Sequence, residues 1–256
     1  MSNVILSFTN QVDQAGVVLS SSATLGDNAP QNMTDPIIGR RCRLSGGTGY
    51  VQFDFGANKT IDVVCLVFPR DTAFPTSGTI THAFDANGGT PGAGAAHDSG
   101  AVAIGTYEGY GYHFYAPSVS ARYWRATFNT SSSFVDIGRA WAGQKFQPEI
   151  NVPYGYLDVW EDRSRITATE RSGAEYVDHK PLQRGFSFGL QHLSESERQT
   201  VREGLRKIGR GLQMLACLDP DSPGRETMIG RQNSIQAMRA SYFQRFETSI
   251  ELRESL

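Results

Sequence analysis

The chain has 256 residues, 39% of them hydrophobic and 20% charged, with a formal net charge of -2. That length supports one large domain or two modest ones, each able to bury a core. The near-neutral balance points away from nucleic acid and anionic membranes, and no apolar run is long enough for a bilayer-spanning helix.

The start, Met1 to Phe8, lacks the basic end and long apolar region of a signal peptide, so synthesis in a cytoplasm is expected. Further on, Gly49-Tyr50-Val51-Gln52-Phe53-Asp54-Phe55-Gly56 alternates, with Val51, Phe53 and Phe55 on one face. Ile61 to Phe68 is almost continuously apolar over a strand's length, which predicts a strand covered on both faces. Cys65 lies in this run and reads as a small buried hydrophobe. The other cysteines, Cys42 and Cys217, form no C-x-x-C pair with it or with each other. From Ala121 to Asn129 the alternation predicts Trp124, Ala126 and Phe128 inward and Tyr123, Arg125 and Thr127 outward. Glycine-, proline- and serine-rich connections separate these strands, notably Gly88 to Gly94, as in a sandwich or jelly roll.

Composition changes near residue 146. Nineteen of the first 146 residues are charged against 31 of the remaining 110, while 18 of the 27 glycines precede the change. Gln147 to Pro153, with two prolines, reads as a linker between a domain of residues 1–146 and one of residues 147–256. In the second domain, Phe186, Phe188 and Leu190 alternate as a strand. Ser194-Glu195-Ser196-Glu197 is a capping box, and Val201, Leu205, Ile208 and Leu212 follow as the apolar stripe of an amphipathic helix that Gly209 and Gly211 can end. Near the C-terminus Phe246, Thr248, Ile250 and Leu252 alternate opposite Glu247, Ser249 and Glu251. The layout is a sheet or small sandwich with one packed helix.

Catalytic and cofactor signatures are not evident. The five histidines make no H-x-H or H-E-x-x-H pattern, and there is no P-loop, nucleophile elbow or calcium loop. Asp219 and Asp221 flank Pro220 in a turn. The expectation is a protein with no catalytic residues, metal or cofactor. Aromatic residues do gather in two segments of the first half. Arg70, Asp71 and Phe74 follow the apolar strand, and Tyr110 and His113 belong to the glycine-punctuated stretch Gly105 to Tyr115. Aromatic faces stack on sugar C–H surfaces while Arg, Asp and His hydrogen-bond hydroxyls, so these five are the candidate ligand-binding residues. The alternative is that Tyr110, Tyr112 and Phe114 form one face of an ordinary strand.

The strand ending Asp54-Phe55-Gly56, the apolar strand from Ile61 and the segment Arg122-Tyr123-Trp124-Arg125 resemble the discoidin-like, factor 5/8 C-type β-sandwich family. The resemblance covers roughly residues 1–146 and implies a jelly roll that binds carbohydrate through loops at one end. Secreted members carry a disulfide joining their ends, for which this sequence has no cysteine pair. Arg184-Gly185-Phe186-Ser187-Phe188, the helix from Ser194, Leu218-Asp219-Pro220, Thr227-Met228-Ile229-Gly230 and the terminal strand ending Ile250-Glu251-Leu252 resemble tailed-bacteriophage minor or distal tail proteins. That second resemblance implies a β-sandwich with one packed helix that assembles into a homo-oligomeric ring with other phage tail proteins. Together they imply a mainly β, non-enzymatic tail-tip protein, made in the host bacterial cytoplasm and carried on the virion tail. Its sandwich would bind host-surface glycan during adsorption, without nucleic acid or membrane insertion. The alternatives are a purely structural tail spacer with no ligand, a cell-surface polysaccharide hydrolase with a targeting module, and a secreted lectin.

Overall fold

A computed structural model describes residues 2–70, 75, 77–87, 91, 95–104, 111–153, 155–168, 174–234 and 236–255. In the first half the strands are β1 (Ile5–Ser7), β2 (Val18–Ser21), β3 (Cys42–Ser45), β4 (Thr48–Ile61), β5 (Val63–Val67), β6 (Thr79–Asp85), β7 (His97–Ala103), β8 (Tyr112–Tyr115), β9 (Val119–Asn129), β10 (Phe134–Ile137) and β11 (Arg139–Gly143). In the second they are β12 (Leu157–Glu161), β13 (Arg165–Ala168), β14 (Glu175–Asp178), β15 (Gln183–Leu193), β16 (Gln213–Cys217), β17 (Thr227–Gln232), β18 (Arg239–Tyr242) and β19 (Arg245–Glu254), with helices α1 (Glu195–Ile208) and α2 (Pro223–Glu226).

The mainly β architecture expected from the alternation is what the chain adopts. A five-stranded antiparallel sheet, β2-β4-β9-β6-β7, faces a three-stranded sheet, β11-β5-β8, and the β10-β3 ladder. Val51, Phe53, Phe55, Trp124, Ala126 and Phe128 point into this sandwich with Val64, Leu66 and Ile137 opposite. Phe53 and Trp124, paired across β4 and β9, stack with ring centroids 4.5 Å apart.

The second half is built on a seven-stranded sheet, in the order β1-β16-β17-β19-β15-β12 with β18 on β19, on which α1 packs; β13 and β14 form a separate two-stranded ladder. The Ser194–Glu197 capping box is formed, and Val201, Leu205 and Ile208 bury against Phe186, Phe188, Leu190 and Ile250. Leu212 does not continue the stripe. Gly209 ends the helix at φ 54°, and Leu212 stays 58% exposed.

Two features redraw the expected halves. Strand β1, from the N-terminal end, pairs with β16 of the second sheet. The segment read as a linker is tied along that strand: Leu6 and Phe146 exchange backbone hydrogen bonds of 2.9 and 2.7 Å, and Asn3 Nδ2 donates to the carbonyls of Pro148 and Glu149. The β5 strand is indeed covered on both faces. Val64 and Leu66 enter the sandwich core, while Val63, Cys65 and Val67 join Tyr112, Phe114, Trp141, Ile5, Leu215, Cys217 and Ile229 in a separate cluster. That cluster is a core shared between the two halves. A side chain of the Val, Leu or Ile class contributes about 1.5–3 kcal/mol when fully buried, so the junction is a folding unit and not a hinge. All three cysteines are buried thiols, and burial pushes Cys42 and Cys217 up to about 12.

Candidate functional site

Alternation along β4 and β9 leaves one face of the five-stranded sheet directed away from both cores. The antiparallel register places Tyr50 opposite Thr127, Gln52 opposite Arg125 and Asp54 opposite Tyr123. Arg125 donates from Nε and Nη2 to Gln52 Oε1 at 2.9 and 2.7 Å, and its guanidinium lies 4.2 Å from the Tyr50 ring centroid. One step along, Arg122 donates to both carboxylate oxygens of Asp54, at 2.7 and 2.9 Å, and covers the Tyr123 ring at 4.9 Å. The hydrogen bond from Arg122 holds Asp54 below the usual carboxylate range. Two tyrosines are thereby set at fixed orientations, each beside a guanidinium and a hydrogen-bonding partner. Tyr50 and the Asp54–Tyr123 pair stand four residues apart along β4, a spacing of about 14 Å between the two tyrosine positions. Such a surface combines ring faces for stacking with ordered donors and acceptors.

Of the five residues chosen from the sequence, the structure describes Arg70 and His113. Asp71, Phe74 and Tyr110 lie outside the described residues. Arg70 is not free to meet a ligand: its Nη2 donates to both oxygens of Glu254 at 2.7 Å, and its guanidinium lies 4.9 Å over Trp160. The Tyr112 hydroxyl donates to the same carboxylate at 2.7 Å, and the Arg184 backbone N–H adds a bond of 3.3 Å. Burial pushes the Glu254 carboxyl up, against the opposing pull of Arg70. Arg70 is therefore a fastening between the halves.

His113 is not a loop residue. It sits in β8, 2% exposed, with its Nε2 3.0 Å from Nε2 of His82. Trp124 Nε1–H can only donate and bonds His82 Nδ1 at 3.2 Å, so neutral His82 carries its proton on Nε2 and donates to His113. Burial holds His113 down to about 4 and His82 well below its ordinary range. Tyr112 and Phe114 form one face of the same strand, turned toward the shared core. For Tyr112 and Phe114 this is the ordinary-strand alternative; Tyr110 lies outside the described residues.

The structure does bring the roots of the two predicted loops together. The Phe68 N–H bonds the Gly111 carbonyl at 2.7 Å, and Gly111 holds φ 67° where a Cβ would meet the Phe68 carbonyl oxygen at 2.5 Å. The end of β5 and the start of β8 thus meet close to the Arg70–Glu254 fastening. The sequence did mark Tyr123 and Arg125 as outward. What it could not supply was the β4–β9 register that sets Tyr50, Gln52 and Asp54 against them. Among the described residues no group of three or more His, Cys, Asp or Glu is arranged to hold a metal ion.

No family model matches the chain, and no curated protein does. Solved structures similar to it include the CBM32 of AlyQ in complex with 4,5-unsaturated mannuronic acid. That likeness has 19% identity and a TM-score of 0.38 over 49% of this chain and 92% of the other. A Streptococcus pneumoniae fucose binding module is similar at 10% identity and a TM-score of 0.43, over 53% of this chain and 94% of the module. A Ruminococcus gnavus GH29 fucosidase in complex with fucose is similar at 19% identity and a TM-score of 0.45, over 54% of this chain and 27% of the enzyme.

Proposed function

We propose that the chain is a non-enzymatic carbohydrate-binding structural protein of a bacteriophage tail tip. Its sandwich holds host-surface glycan, and its second half anchors it among other tail proteins, in several copies. The observation that carries glycan binding is the outer sheet face, where Tyr50 and Tyr123 are each set beside a guanidinium and a hydrogen-bonding partner. Anchoring in a virion tail rests on the sequence layout of residues 184–252. Fusion through a shared core supports it further, because a rigid joint passes load from a held ligand to the anchor.

A second reading, a structural spacer without ligand, has one observation in its favour. Arg125 and Arg122 already bond Gln52 and Asp54, so the face is satisfied without a sugar.

A glycan screen of the purified chain separates the two. Retention of a glycan, lost in Tyr50→Ala/Tyr123→Ala, supports adhesion through the sheet face. Retention lost instead in Phe74→Ala/Tyr110→Ala moves the site to the loops. No glycan retained at any concentration overturns the adhesion reading and leaves the spacer.

A further inference from the structure

The face of the seven-stranded sheet opposite α1 is covered over only part of its width. Over β16 and β17 the sandwich meets it through Leu215, Cys217 and Ile229. Over β15 and β19 it stays open. Gly189, Gln191, Glu247 and Ser249 stand there, one step out of phase with the core residues Leu190 and Ile250. Gly189 pairs with Ser249, and Arg239 of β18 pairs with Glu247. The ladders on both sides of Glu247 are irregular. On β15 the register shifts between Leu190 and Leu193, so Gln191 and His192 together oppose Glu247, and on β18 it shifts between Ala240 and Tyr242. His192 takes φ 59° in this bulge, where its carbonyl accepts from Arg245 Nη1 at 3.0 Å and its ring stacks on Tyr242. The bulge returns Leu193 to the core and leaves Gln191 exposed.

These bends frame a cavity of about 340 Å3, lined by Gly189, Gln191, Gln236, Arg239, Glu247 and Ser249. Its charged pair is not joined. Arg239 and Glu247 are direct cross-strand neighbours, a placement in which opposite charges attract and commonly bond. Yet among the described residues neither makes an ion pair or a side-chain hydrogen bond. Gln191 and Ser249 likewise have no side-chain partner there. Farther along the same face Arg253 does reach Glu161, at 3.2 Å. Gln236 is fixed by its own loop, with Nε2 donating to Ser234 Oγ at 2.7 Å. The flanking charges of β19 are engaged elsewhere, Arg245 with the His192 carbonyl and Glu251 with the Asn233 and Ser234 side chains. Gly189 keeps the floor low: a Cβ added to it meets nothing within 4 Å, and its backbone is not left-handed.

Such a lining selects by charge and by hydrogen bonding together. A simple anion drawn to Arg239 meets Glu247, and a simple cation drawn to Glu247 meets Arg239. A hydroxyl donates and accepts at once, so a set of neighbouring hydroxyls satisfies a guanidinium, a carboxylate and two amides with no net charge of its own. Hydrogen bonds to the two charged groups are the strong ones in that set. We propose that this cavity binds one ring of a neutral saccharide, as a second sugar site separate from the outer face of the sandwich. It goes beyond the sandwich reading and uses none of that site's residues, so either site can stand without the other.

The test is an amide-resolved NMR titration of the isotope-labelled full chain, with melting curves to verify folding. Neutral hexoses and N-acetylhexosamines are the probes, and a hexuronate and a free α-amino acid are the controls. A neutral sugar is expected to shift the Gly189, Gln191 and Ser249 amides, in the wild type and equally in Tyr50→Ala/Tyr123→Ala. The two controls are expected to leave those amides in place. Gly189→Leu fills the cavity without backbone strain and should abolish the shifts at Gln191 and Ser249. Arg239→Met/Glu247→Gln removes both charges from surface positions and should weaken binding at least about tenfold, which keeps the test open if the glycine variant does not fold. No shift at these amides with any neutral sugar overturns the site, whatever the sandwich binds. Shifts lost in Tyr50→Ala/Tyr123→Ala, or surviving both cavity variants, assign the sugar elsewhere and overturn it too. A response to the amino acid or the hexuronate as strong as to the neutral sugars overturns the ligand class.

Discussion

The sandwich presents two sheets to very different surroundings. On the three-stranded sheet, Val63, Cys65, Val67, Tyr112, Phe114 and Trp141 turn away from the sandwich core and meet Ile5, Leu215, Cys217 and Ile229 in apolar contact. On the five-stranded sheet the outward positions are Tyr50, Gln52, Asp54, Tyr123 and Arg125, joined by ion pairs, hydrogen bonds and ring contacts. Both sheets obey the same two-residue period, yet one back is dry and the other wet. The difference shows how a sandwich can be joined to a second sheet: one of its sheets is given over to the joint, and the other keeps polar and aromatic groups outward.

The largest effect that would break this contrast is removal of the dry face's cover. Trp141→Ala empties volume in the shared core and frees Ser7 Oγ, to which the indole N–H donates at 3.1 Å. The loss should be about 3–5 kcal/mol in denaturant unfolding, with both halves melting together. By the same logic a fragment of residues 1–146 should aggregate, because it bares the apolar face that Leu215, Cys217 and Ile229 cover; a soluble, monomeric fragment would show that the joint is dispensable.

Between the two backs lies the buried His82–His113 pair. His113 has a folded value near 4 against an unfolded value of 6.5. Above pH 6.5 both states are neutral there and the group contributes no pH dependence. Below it the unfolded chain takes up protons that the folded one resists, so stability falls as pH drops from 6.5 toward 4. The loss from His113 alone is about 3 kcal/mol. Melting curves across that range should show the decline, and His113→Phe should make it shallower, the part due to buried His82 remaining.

The fastening at the edge of the joint is weaker. Arg70→Met leaves Glu254 buried without its cation and should cost about 2 kcal/mol at pH 8, below the range for fully buried pairs because Arg70 is partly exposed. Burial already raises Glu254, and losing Arg70 raises it further. A raised carboxyl is tolerated while protonated and opposes folding as pH climbs through its folded value. The deficit relative to wild type should therefore shrink at pH 5, as paired melts at the two pH values would reveal.

The smallest effect on stability belongs to the wet face. Tyr50→Ala/Tyr123→Ala should change unfolding by less than about 1 kcal/mol while removing glycan retention. A large loss of stability would instead make the tyrosines part of the fold's support.

Much of this was legible in the residues alone. The inward set Trp124, Ala126 and Phe128, the double covering of Ile61 to Phe68 and the Ser194–Glu197 cap are local rules, written in spacing and in which atoms reach which backbone groups. The ring-rich stretch ending at Tyr115 was ambiguous because alternation cannot distinguish a loop from a short strand, and the structure resolves Tyr112 to Tyr115 as β8. What only the tertiary structure decided is who meets whom. Periodicity says that Val63, Cys65 and Val67 are covered, not that Leu215 and Ile229 cover them. Composition marks a change near residue 146, but backbone pairing carries the N-terminal strand into the second sheet. Arg70 carries no sign in the sequence that Glu254, 184 positions away, will take its charge. These are contacts between distant segments. Their choice depends on packing and on satisfying buried polar groups across the whole chain, which local spacing does not record.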